Sequence, residues 1–517
     1  MKISAIKILI IAFILSGACA VSASAMPAKI RVGLTAYGER PSVAIGNKSL
    51  RVSFDKGGAR DMGIITAVSG FSVTSDSGWY VATGQVYAQF SDAQAAAAAY
   101  KAAIAVLSEQ YGWTVYLGAF ASAADASANA SGATVSGAQP NRRLLLSDGG
   151  TPAVLLDFQD TYAQFSDGTG GGTVSLGGRK YRGALECRPK GANVTVVNIL
   201  TADEYLYGVV PSEMPQGWPL EALKAQAVAS RSYMSTRLGV HSGDGYDFCD
   251  QGHCQNYLGA DNEAASAVRA VDATSGIMAY YDGEPINAVY FASSGGITED
   301  SENVWPNAMP YLRGVREIAD EAYKEWTRVF TLAELDAVLS ANNAGIGAAV
   351  GVTIGAATPG GRVSELIING TAGRKSLYKE EIRTFFSVST GGPLESRNFI
   401  LGGIDSARPE AAESDTINIM GLGEYPVQGL RVIGGGAAVA ALTEVFVAGS
   451  GTTRRYGGAS QASGTSGGAG RNGEIVFTGK GSGHGVGMSQ YGAKAMAEAG
   501  YTYAQILRHY YTGIEVR

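Results

Sequence analysis

Charged residues are scarce in this sequence, and neither sign dominates. Asp, Glu, Lys and Arg make up 17% of the 517 residues, and the formal net charge is -6. A protein that binds nucleic acid or an anionic lipid surface carries a basic patch or stripe. The composition therefore excludes a nucleic-acid partner, and a neutral or weakly charged partner fits it better.

Long apolar runs and nucleotide-binding motifs are also missing. After residue 25, no segment is long and apolar enough to span a bilayer. The stretch 479–500, "GKGSGHGVGMSQYGAKAMAEAG", sets five glycines around His484 ahead of a helix predicted to start near Ser489. No lysine–serine or lysine–threonine pair follows them, so nucleotide binding is excluded. The favoured explanation is close approach of this backbone to another part of the protein or to a sugar, and the alternative is a structural turn.

Cysteine and histidine are rare, with four of each in the chain, yet two of each lie in the loop "HSGDGYDFCDQGHCQNYLG". The members of this group are His241, Cys249, His253 and Cys254. Two thiolates and one or two imidazoles suit zinc, and the short spacings let one loop close around an ion. A disulfide between the two cysteines of the loop is the alternative in an exported chain. Cys187 is left over, and we expect it to be a small buried residue.

The first residues have the pattern of an export signal. Lys2 and Lys7 precede an apolar run, and the small residues Ala23 to Ala25 suit a cleavage site. The alternative is an uncleaved anchor. Either way we expect the body of the protein outside the cytoplasm, secreted or associated with the cell envelope.

What the sequence has in abundance is glycine, with 71 residues, which favours turns, short strands and loops. A chain of this length is expected to form two or more folding units. We predict an α+β fold, with a β-rich catalytic domain that carries a few amphipathic helices and a smaller β-rich and ferredoxin-like N-terminal region. The predicted segments are a signal or anchor at 1–25, a β-rich module at 26–75, an α+β region at 76–132, a connecting β-rich segment at 133–176, and a large domain at 177–517 with a low-complexity insert at 449–474.

Region 76–132 repeats a strand–helix unit, in which Gly78-Trp79 is echoed by Gly112-Trp113. The region resembles the SPOR domain, a ferredoxin-like fold of envelope proteins, and the resemblance implies binding to peptide-free glycan strands. The alternative is a plain packing module that holds its aromatic side chains in the core. The aromatic residues concerned are Trp79, Tyr80, Trp113 and Tyr116.

"GVVPSEMPQGWP" (208–219) holds one carboxylate, Glu213, between two prolines that restrict where it can point. We predict that it lies in the loop ahead of an amphipathic helix that starts at Pro219. A helix N-terminus would favour the ionised carboxylate, whereas Met214 and Trp218 packed over it would favour the protonated form. The alternative to a catalytic acid is an ordinary glutamate that complements the helix dipole.

Six motifs follow one another in a fixed order: "YRGALECRP", "GVVPSEMPQGWPLEALKAQAVASRSY", "CDQGHCQNYLG", "SSGGITEDSENVW", "PYLRGV" and "GSGHGVGMSQYGA". Over residues 177–517 the chain resembles the SpoIID/LytB domain family, the stage II sporulation protein D and its relatives. The resemblance implies a lytic transglycosylase that cleaves peptide-free peptidoglycan glycan strands, with Glu213 as catalytic acid and base. Ordinary glycoside hydrolysis uses two carboxylates, whereas a transglycosylase that forms a 1,6-anhydro product needs one.

The resemblance also implies a zinc site and a glycan-binding cleft. The zinc ligands it implies are His241, Cys249 and Cys254, with His253 as a competitor for the histidine position. Two alternatives to an enzyme are a non-catalytic enhancer of a partner cell-wall amidase and a glycan-binding protein. The residues that the resemblance places along the cleft are Lys224, Gln226, Arg231, Ser293, Ser294, Gly295, Gly296, His484, Gln490 and Tyr491.

Overall fold

The computed structural model describes residues 26–131, 134–136, 143–158, 160–318, 325–402 and 474–517, and the backbone of short strands between 416 and 468. The predicted export signal and most of the predicted low-complexity insert lie outside the described residues. No helix among the described residues is long and apolar enough to cross a membrane. The chain forms a first unit of Met1–Tyr205, Ser235–Gln255 and Tyr280–Pro285, and a second unit of Leu206–Met234, Asn256–Ala279 and Ile286–Arg517.

The first unit is built mainly from β-strands and two short helices. Its helices are α1 (Phe90–Ala97) and α2 (Ala123–Asn129). Its strands are β1 (Ile30–Gly33), β2 (Ser42–Ile45), β3 (Ser49–Asp55), β4 (Ala59–Thr66), β5 (Phe71–Asp76), β6 (Trp79–Tyr87), β7 (Ala103–Ser108), β8 (Gly112–Phe120), β9 (Thr134–Ser136), β10 (Arg143–Asp148), β11 (Thr151–Asp157), β12 (Gln164–Asp167), β13 (Thr173–Leu176), β14 (Arg179–Arg182), β15 (Ala184–Lys190), β16 (Asn193–Leu200), β17 (Phe248–Cys249), β18 (Ala279–Tyr281) and β19 (Glu284–Pro285).

Two large sheets order these strands. The seven-stranded sheet has the order β17-β1-β16-β15-β12-β3-β4, and the ten-stranded sheet has the order β14-β13-β2-β5-β10-β11-β7-β8-β6-β9. In β3 the apolar residues Leu50, Val52 and Phe54 alternate with more exposed ones, as expected for a strand with one buried face. The seven-stranded sheet crosses the predicted boundary at residue 177, because β15 and β16 pair with β12 and β1. The structure thus groups the chain differently from the predicted segments.

The α+β region of the first unit has the ferredoxin-like order of elements, β6-α1-β7-β8-α2-β9, with β7-β8-β6-β9 adjacent in the sheet. Three of the four aromatic residues noted in the sequence are buried, however, whereas Trp79 is half-buried. Tyr80, Trp113 and Tyr116 are each at most 4% exposed, and the Tyr116 hydroxyl donates to the buried Asp157 carboxylate at 3.2 Å. The core-packing alternative therefore describes these side chains, because their rings fill the interior and their polar atoms find partners there.

The second unit contains most of the helices. They are α3 (Ala202–Glu213, which begins in the first unit), α4 (Leu220–Ser235), α5 (Ala265–Asp272), α6 (Leu332–Ala341), α7 (Glu381–Thr384), α8 (Gln490–Glu498) and α9 (Tyr503–Tyr510). Its strands are β20 (Tyr290–Phe291), β21 (Glu325–Thr331), β22 (Ala349–Ala357), β23 (Val363–Gly370), β24 (Gly373–Tyr378), β25 (Phe399–Gly402), β26 (Thr416–Ile419), β27 (Gly423–Pro426), β28 (Arg431–Ile433), β29 (Val439–Ala441), β30 (Val445–Gly449), β31 (Thr452–Tyr456), β32 (Ser466–Gly468), β33 (Glu474–Lys480), β34 (Met488–Ser489) and β35 (Glu515–Val516).

Small sheets and one apolar cluster organise this unit. The three-stranded sheet β21-β33-β25 and the sheet β24-β23-β22-β32 share a core that includes Phe330, Phe386 and Phe477. Helix α4 begins one residue after Pro219 and is buried along most of its length, as its apolar periodicity predicts. The mixture of sheets and helices confirms the predicted α+β class.

Candidate active site and metal-ligand cluster

Glu213 is the last residue of helix α3, and the prediction that it lies in a loop was wrong. Pro211 lies inside this helix, although proline removes one backbone donor and usually ends a helix. Because the helix continues to Glu213, this residue stands at the negative end of the α3 dipole. The dipole therefore disfavours the ionised carboxylate, the opposite of the sequence-based expectation.

The segment after the cysteine loop holds the last turn of α3. The Tyr257 ring packs against Gly208 so closely that a Cβ there would come within 2.8 Å of it. Asn262 Nδ2 donates to Ser212 Oγ at 2.8 Å, and Ser212 Oγ donates to the Gly208 carbonyl at 2.8 Å. These contacts fix the helix end on which Glu213 stands.

Neutral hydrogen-bond donors hold the Glu213 carboxylate. The backbone N–H of Asn256 and the side-chain amide of Gln490 both bond to it. Gln490 Nε2 also donates to Gln226 Oε1 at 3.4 Å, and Gln226 Nε2 donates to Ser230 Oγ at 3.0 Å. The carboxylate is thus the first member of a polar chain in which both glutamines are buried.

Burial sets the direction of the Glu213 pKa. The side chain is half-buried, and desolvation raises the pKa of its carboxyl above the ordinary value. The hydrogen bonds from Asn256 and Gln490 favour the ionised form, but their effect is smaller. Met214, the next residue along the chain, is fully buried. Desolvation and the α3 dipole therefore act together to favour a protonated Glu213.

Two residues predicted to line the cleft have hydrogen-bond partners within the protein. Arg231 is 2% exposed and donates to the carbonyls of Thr274 and Ile277 at 2.7 and 3.1 Å. Its guanidinium is buried among backbone acceptors, so the structure places it away from any ligand surface. Lys224 pairs with Glu221 at 2.7 Å, which leaves the Glu213 carboxylate without a lysine among its hydrogen-bond partners in the described residues.

The serine–glycine loop 293–296 and the glycine-rich stretch pack against each other. Ser293 and Ser482 exchange backbone hydrogen bonds at 3.0 and 2.9 Å. A Cβ at Gly481 would meet the Ser293 carbonyl at 2.6 Å, and one at Gly483 would meet Phe291 at 2.8 Å. The glycines therefore permit close approach to another part of the protein, the favoured explanation of their pattern.

Arg362 holds the serine–glycine loop through hydrogen bonds to its backbone. It is 1% exposed, and its Nη2 donates to the carbonyls of Ser294 and Ile297 at 2.6 and 3.0 Å. The guanidinium also packs against Gly485, where a Cβ would come within 2.7 Å of Cζ. One buried arginine thus holds both loops. The Ser293 hydroxyl is buried without a hydrogen-bond partner among the described residues.

His484 is held as a neutral ring. Its Nε2 lies 3.1 Å from the Tyr290 carbonyl, and its Nδ1 accepts from the Val486 backbone N–H at 3.1 Å. These two bonds fix a single tautomer with the proton on Nε2. Desolvation, with a smaller contribution from nearby arginines, lowers the pKa of His484 to about 3. The ring can therefore position a neighbour or a ligand, but it does not serve as a base near neutral pH.

Tyr491 is the accessible member of the predicted cleft residues. It is 41% exposed, and its ring meets that of Trp218 edge to face at 5.0 Å. Lys494 Nζ lies 5.8 Å from the centre of the Trp218 ring. Half-exposed aromatic rings of this kind offer an apolar surface with polar edges.

The cysteine loop brings four candidate metal ligands together in the first unit. One donor atom from each of His241, Cys249, His253 and Cys254 lies within 4.8 Å of the other three. Zn–S and Zn–N bonds of about 2.3 and 2.0 Å place the donor atoms of a tetrahedral site about 3.3–3.8 Å apart. His253 Nδ1 lies 3.8 Å from Cys249 Sγ and 3.6 Å from Cys254 Sγ, which is close to this spacing, while the full group spreads over up to 4.8 Å. Both histidines lie in the cluster. The sequence had predicted one histidine ligand, with His241 and His253 as competitors for that position.

Two further observations bear on the fit to a metal. His241 Nε2 is buried without a hydrogen-bond partner among the described residues, while its Nδ1 lies 3.5 Å from Asp244 Oδ2. A carboxylate behind a histidine is the usual partner of a metal-binding imidazole. Cys249 and Cys254 are free thiols, and burial raises the pKa of Cys254 to about 11. Cys187 is likewise free and buried.

Several residues of these sites carried no recognisable signal in the sequence. Asn256 contributes only a backbone N–H, and Arg362 lies far from the loops along the chain. Tyr290 joins the polar chain through its hydroxyl, 3.5 Å from Ser230 Oγ. The only available signal was that Asn256 and Tyr290 lie inside or next to the motifs "CDQGHCQNYLG" and "SSGGITEDSENVW".

The chain is similar to known proteins of one kind. Residues 190–281 match the family model SpoIID, described as stage II sporulation protein. The stage II sporulation protein D of Bacillus amyloliquefaciens is 29% identical over 342 residues, which cover 63% of this chain and 76% of that protein. The amidase enhancer of Bacillus subtilis is 31% identical over 316 residues, 60% of this chain but 39% of that longer protein.

An uncharacterized protein of Brachyspira hyodysenteriae is 29% identical over 346 residues, 66% of this chain and 73% of that protein. The matched residues 190–281 include Glu213 and the whole cysteine loop. The motif order seen in the sequence and these similarities agree, and both support the SpoIID family.

Proposed function

We propose that the protein acts on the bacterial cell wall as a lytic transglycosylase that cleaves peptide-free glycan strands to 1,6-anhydro-muramyl products. The observation that carries the proposal is Glu213, a single half-buried carboxyl whose pKa is raised and whose hydrogen-bond partners are neutral. A general acid must hold its proton at the working pH, and burial is the usual means of achieving this. The SpoIID relatives support a role in the cell wall or in sporulation.

In the proposed reaction, protonated Glu213 gives its proton to the glycosidic oxygen as the bond from that oxygen to the anomeric carbon breaks. The resulting carboxylate then takes the proton of the same sugar's 6-hydroxyl, whose oxygen attacks the anomeric carbon. The acid is regenerated and no water is consumed. Gln490 and the Asn256 N–H steady the carboxylate between the two steps, since both bond to its ionised form.

Digestion of peptide-free glycan strands with the Glu213→Gln variant tests this proposal. We expect anhydro-ended fragments from the unaltered protein and a loss of at least about 100-fold in rate from the variant, the usual contribution of a general acid–base group. Glu498→Gln, which changes an exposed carboxylate of helix α8, serves as the matched control. Equal amounts of anhydro product from Glu213→Gln and the control, measured by mass spectrometry, would refute the assignment.

A second candidate function is enhancement of a cell-wall amidase, which the similarity to the amidase enhancer favours. The same variant separates the two functions. Wall digestion by an N-acetylmuramoyl-L-alanine amidase is measured with and without the protein. If Glu213→Gln accelerates the amidase as well as the unaltered protein does, and neither yields anhydro fragments, the enhancer function is the better description.

We also propose that the cysteine loop holds one zinc ion. Its ligands are His241, Cys249, His253 and Cys254. Two thiolates and two imidazoles fill a tetrahedral shell, which is typical of a structural site with no position left for substrate. When bound, the ion would supply cross-linking of the loop, and Asp244 would orient His241.

The proposed place of action is outside the cytoplasm. The predicted export signal at residues 1–25 supports it, as do relatives named for sporulation and for amidase enhancement. Proteinase accessibility of the protein in intact cells with a permeable wall tests this placement. Full protection until the membrane is lysed would contradict it.

A further inference from the structure

A cavity in the first unit lies beside the cysteine loop, with which it shares Asp244, and is separate from the Glu213 site. Its volume is about 550 Å³, within the range of pockets that hold small molecules or one or two sugar rings. The side chains that define it are Tyr162, Arg188, Lys190, Glu39, Asp244 and Tyr246. Every one of these residues belongs to the first unit, whereas Glu213 and its hydrogen-bond partners belong to the second.

Two glycines shape the walls. The Tyr246 ring lies against Gly33, where a Cβ would come within 2.6 Å of the ring carbons. Arg188 lies equally close to Gly245, whose φ of +81° suits glycine. Larger side chains at these two positions would displace the tyrosine and the arginine that line the cavity. The backbone is therefore adapted to the shape of this pocket.

The charges of the pocket are already paired. Arg188 donates to Glu186 at 2.7 Å and to the carbonyls of Asp244 and Gly245 at 3.1 and 2.7 Å, and Lys190 pairs with Glu39. An anionic ligand would have to displace one of these partners. A neutral ligand would not.

The remaining groups suit a polyhydroxylated ring. Tyr162 and Tyr246 are half-buried, and their hydroxyls have no hydrogen-bond partner among the described residues. The Arg188 guanidinium lies 5.1 Å above the Tyr162 ring centre and holds that ring in place. A sugar offers C–H groups to an aromatic face and hydroxyls to phenolic oxygens.

We propose that this pocket, called here the Tyr162 pocket, is an accessory glycan-binding site that holds one or two sugar units of the strand. The choice of a glycan as the ligand rests on the proposed function, since the strand is the polymer on which Glu213 would act. The pocket would increase the residence of the strand on the protein by binding it at a second place. Binding there requires no chemistry from Glu213.

Calorimetric titration of a soluble β-1,4-linked N-acetylglucosamine hexamer into the Glu213→Gln protein tests the inference without cleavage. Tyr162→Ala in this background is expected to weaken binding at one site about tenfold, the effect of removing an aromatic anchor. Tyr111→Ala removes an exposed tyrosine of the same unit outside the pocket and should leave binding unchanged. Equal dissociation constants for the two variants would overturn the inference.

A second variant guards against misfolding of Tyr162→Ala. Gly243 lines the pocket, and a Cβ built there meets nothing within 4 Å, so Gly243→Trp should fill the opening without moving its walls. Loss of hexamer binding at one site with unchanged melting temperature is expected. A second result would also overturn the glycan proposal: the protein binds an acidic stem peptide but not the hexamer, and both variants lose the peptide site. Because cleavage is measured separately, failure of the pocket inference leaves the Glu213 assay intact.

Discussion

The cysteine loop and the Glu213 site are two polar sites that differ in where their groups come from along the chain and in whether those groups are ionisable. The loop takes four ionisable donors from residues 241–254 and gathers them where their thiols are buried. Glu213 takes its partners from segments around residues 256 and 490, and they are neutral. The first arrangement places several candidate ligands close together and, on our proposal, is completed by an ion. The second finds its hydrogen-bond partners within the fold and, on our proposal, is preorganised for a substrate.

The largest expected effect concerns the proposed zinc site of the cysteine loop. Removal of zinc with a chelator, or Cys254→Ser, is expected to lower the free energy of unfolding by at least about 4 kcal/mol, because loss of a structural metal belongs to the most destabilising changes. Elemental analysis and thermal melting measure this. Cys187→Ser, which changes a buried cysteine outside the cluster, should keep the zinc content. A zinc-free protein with an unchanged melting temperature would contradict the site.

The next effect concerns the donors at Glu213. Gln490→Leu removes a hydrogen bond that favours the ionised carboxylate, so the pKa of Glu213 should rise further above its ordinary value. A general acid loses activity as pH rises through its pKa, and the alkaline limb of the pH–rate profile should therefore move to higher pH, with a rate about tenfold lower.

The control for this experiment is Gln505→Ala. Gln505 forms the capping box of helix α9 and has a structural role in the same unit. Its loss should lower stability by about 1 kcal/mol but leave the pH–rate profile in place. Identical shifts of the alkaline limb in both variants would show that the profile does not report on Glu213.

A smaller effect tests Arg362 as a positioning residue. Arg362→Lys keeps the charge but loses the planar fork that reaches the Ser294 and Ile297 carbonyls. We expect a rise in KM for the glycan strand of about threefold, as the serine–glycine loop loosens, with no shift of the pH–rate profile. Arg313→Lys, on a half-exposed pair with Glu302, is the matched control and should change neither quantity.

The smallest expected effect concerns the contribution of the Glu213 carboxyl to the free energy of unfolding. Its pKa is raised in the folded state, so the folded protein binds its proton more tightly than the unfolded chain does, and stability falls as pH rises above the ordinary carboxyl pKa. Glu213→Gln should therefore raise the free energy of unfolding at pH 7 by about 0.5 kcal/mol. The gain should vanish at pH 3, where the carboxyl is protonated in both states. Urea unfolding at the two pH values measures the difference.

The cysteine loop could be recognised from the sequence because its donors are neighbours along the chain. Its two histidines could not be ranked, because only the folded loop brings both to the same point. The fold class followed from alternating strands such as β3 and from the periodicity of α4. These are local patterns, and they were predicted correctly.

The position of Glu213 was predicted wrongly for a physical reason. Proline removes a backbone donor and opposes a helix, so the two prolines indicated a loop. In the structure, the contacts of Tyr257 and Asn262 with the last turn keep α3 helical past Pro211. Tertiary packing of this kind leaves no local trace in the sequence. The same holds for Arg231, whose burial under Thr274 and Ile277 depends on the end of another helix.

Strands β25 and β33 are direct neighbours in one sheet, with Gly402 opposite Val476, although most of the residues between them lie outside those described. The described strands on either side of this interval therefore lie next to each other in the second unit. The entropic penalty of closing a loop grows only slowly with its length. During evolution this interval can lengthen, shorten or change composition while Phe399 and Phe477 keep their places in the core. For the experimenter, the part of this interval before β32, which pairs with β22, is the natural place for a reporter tag.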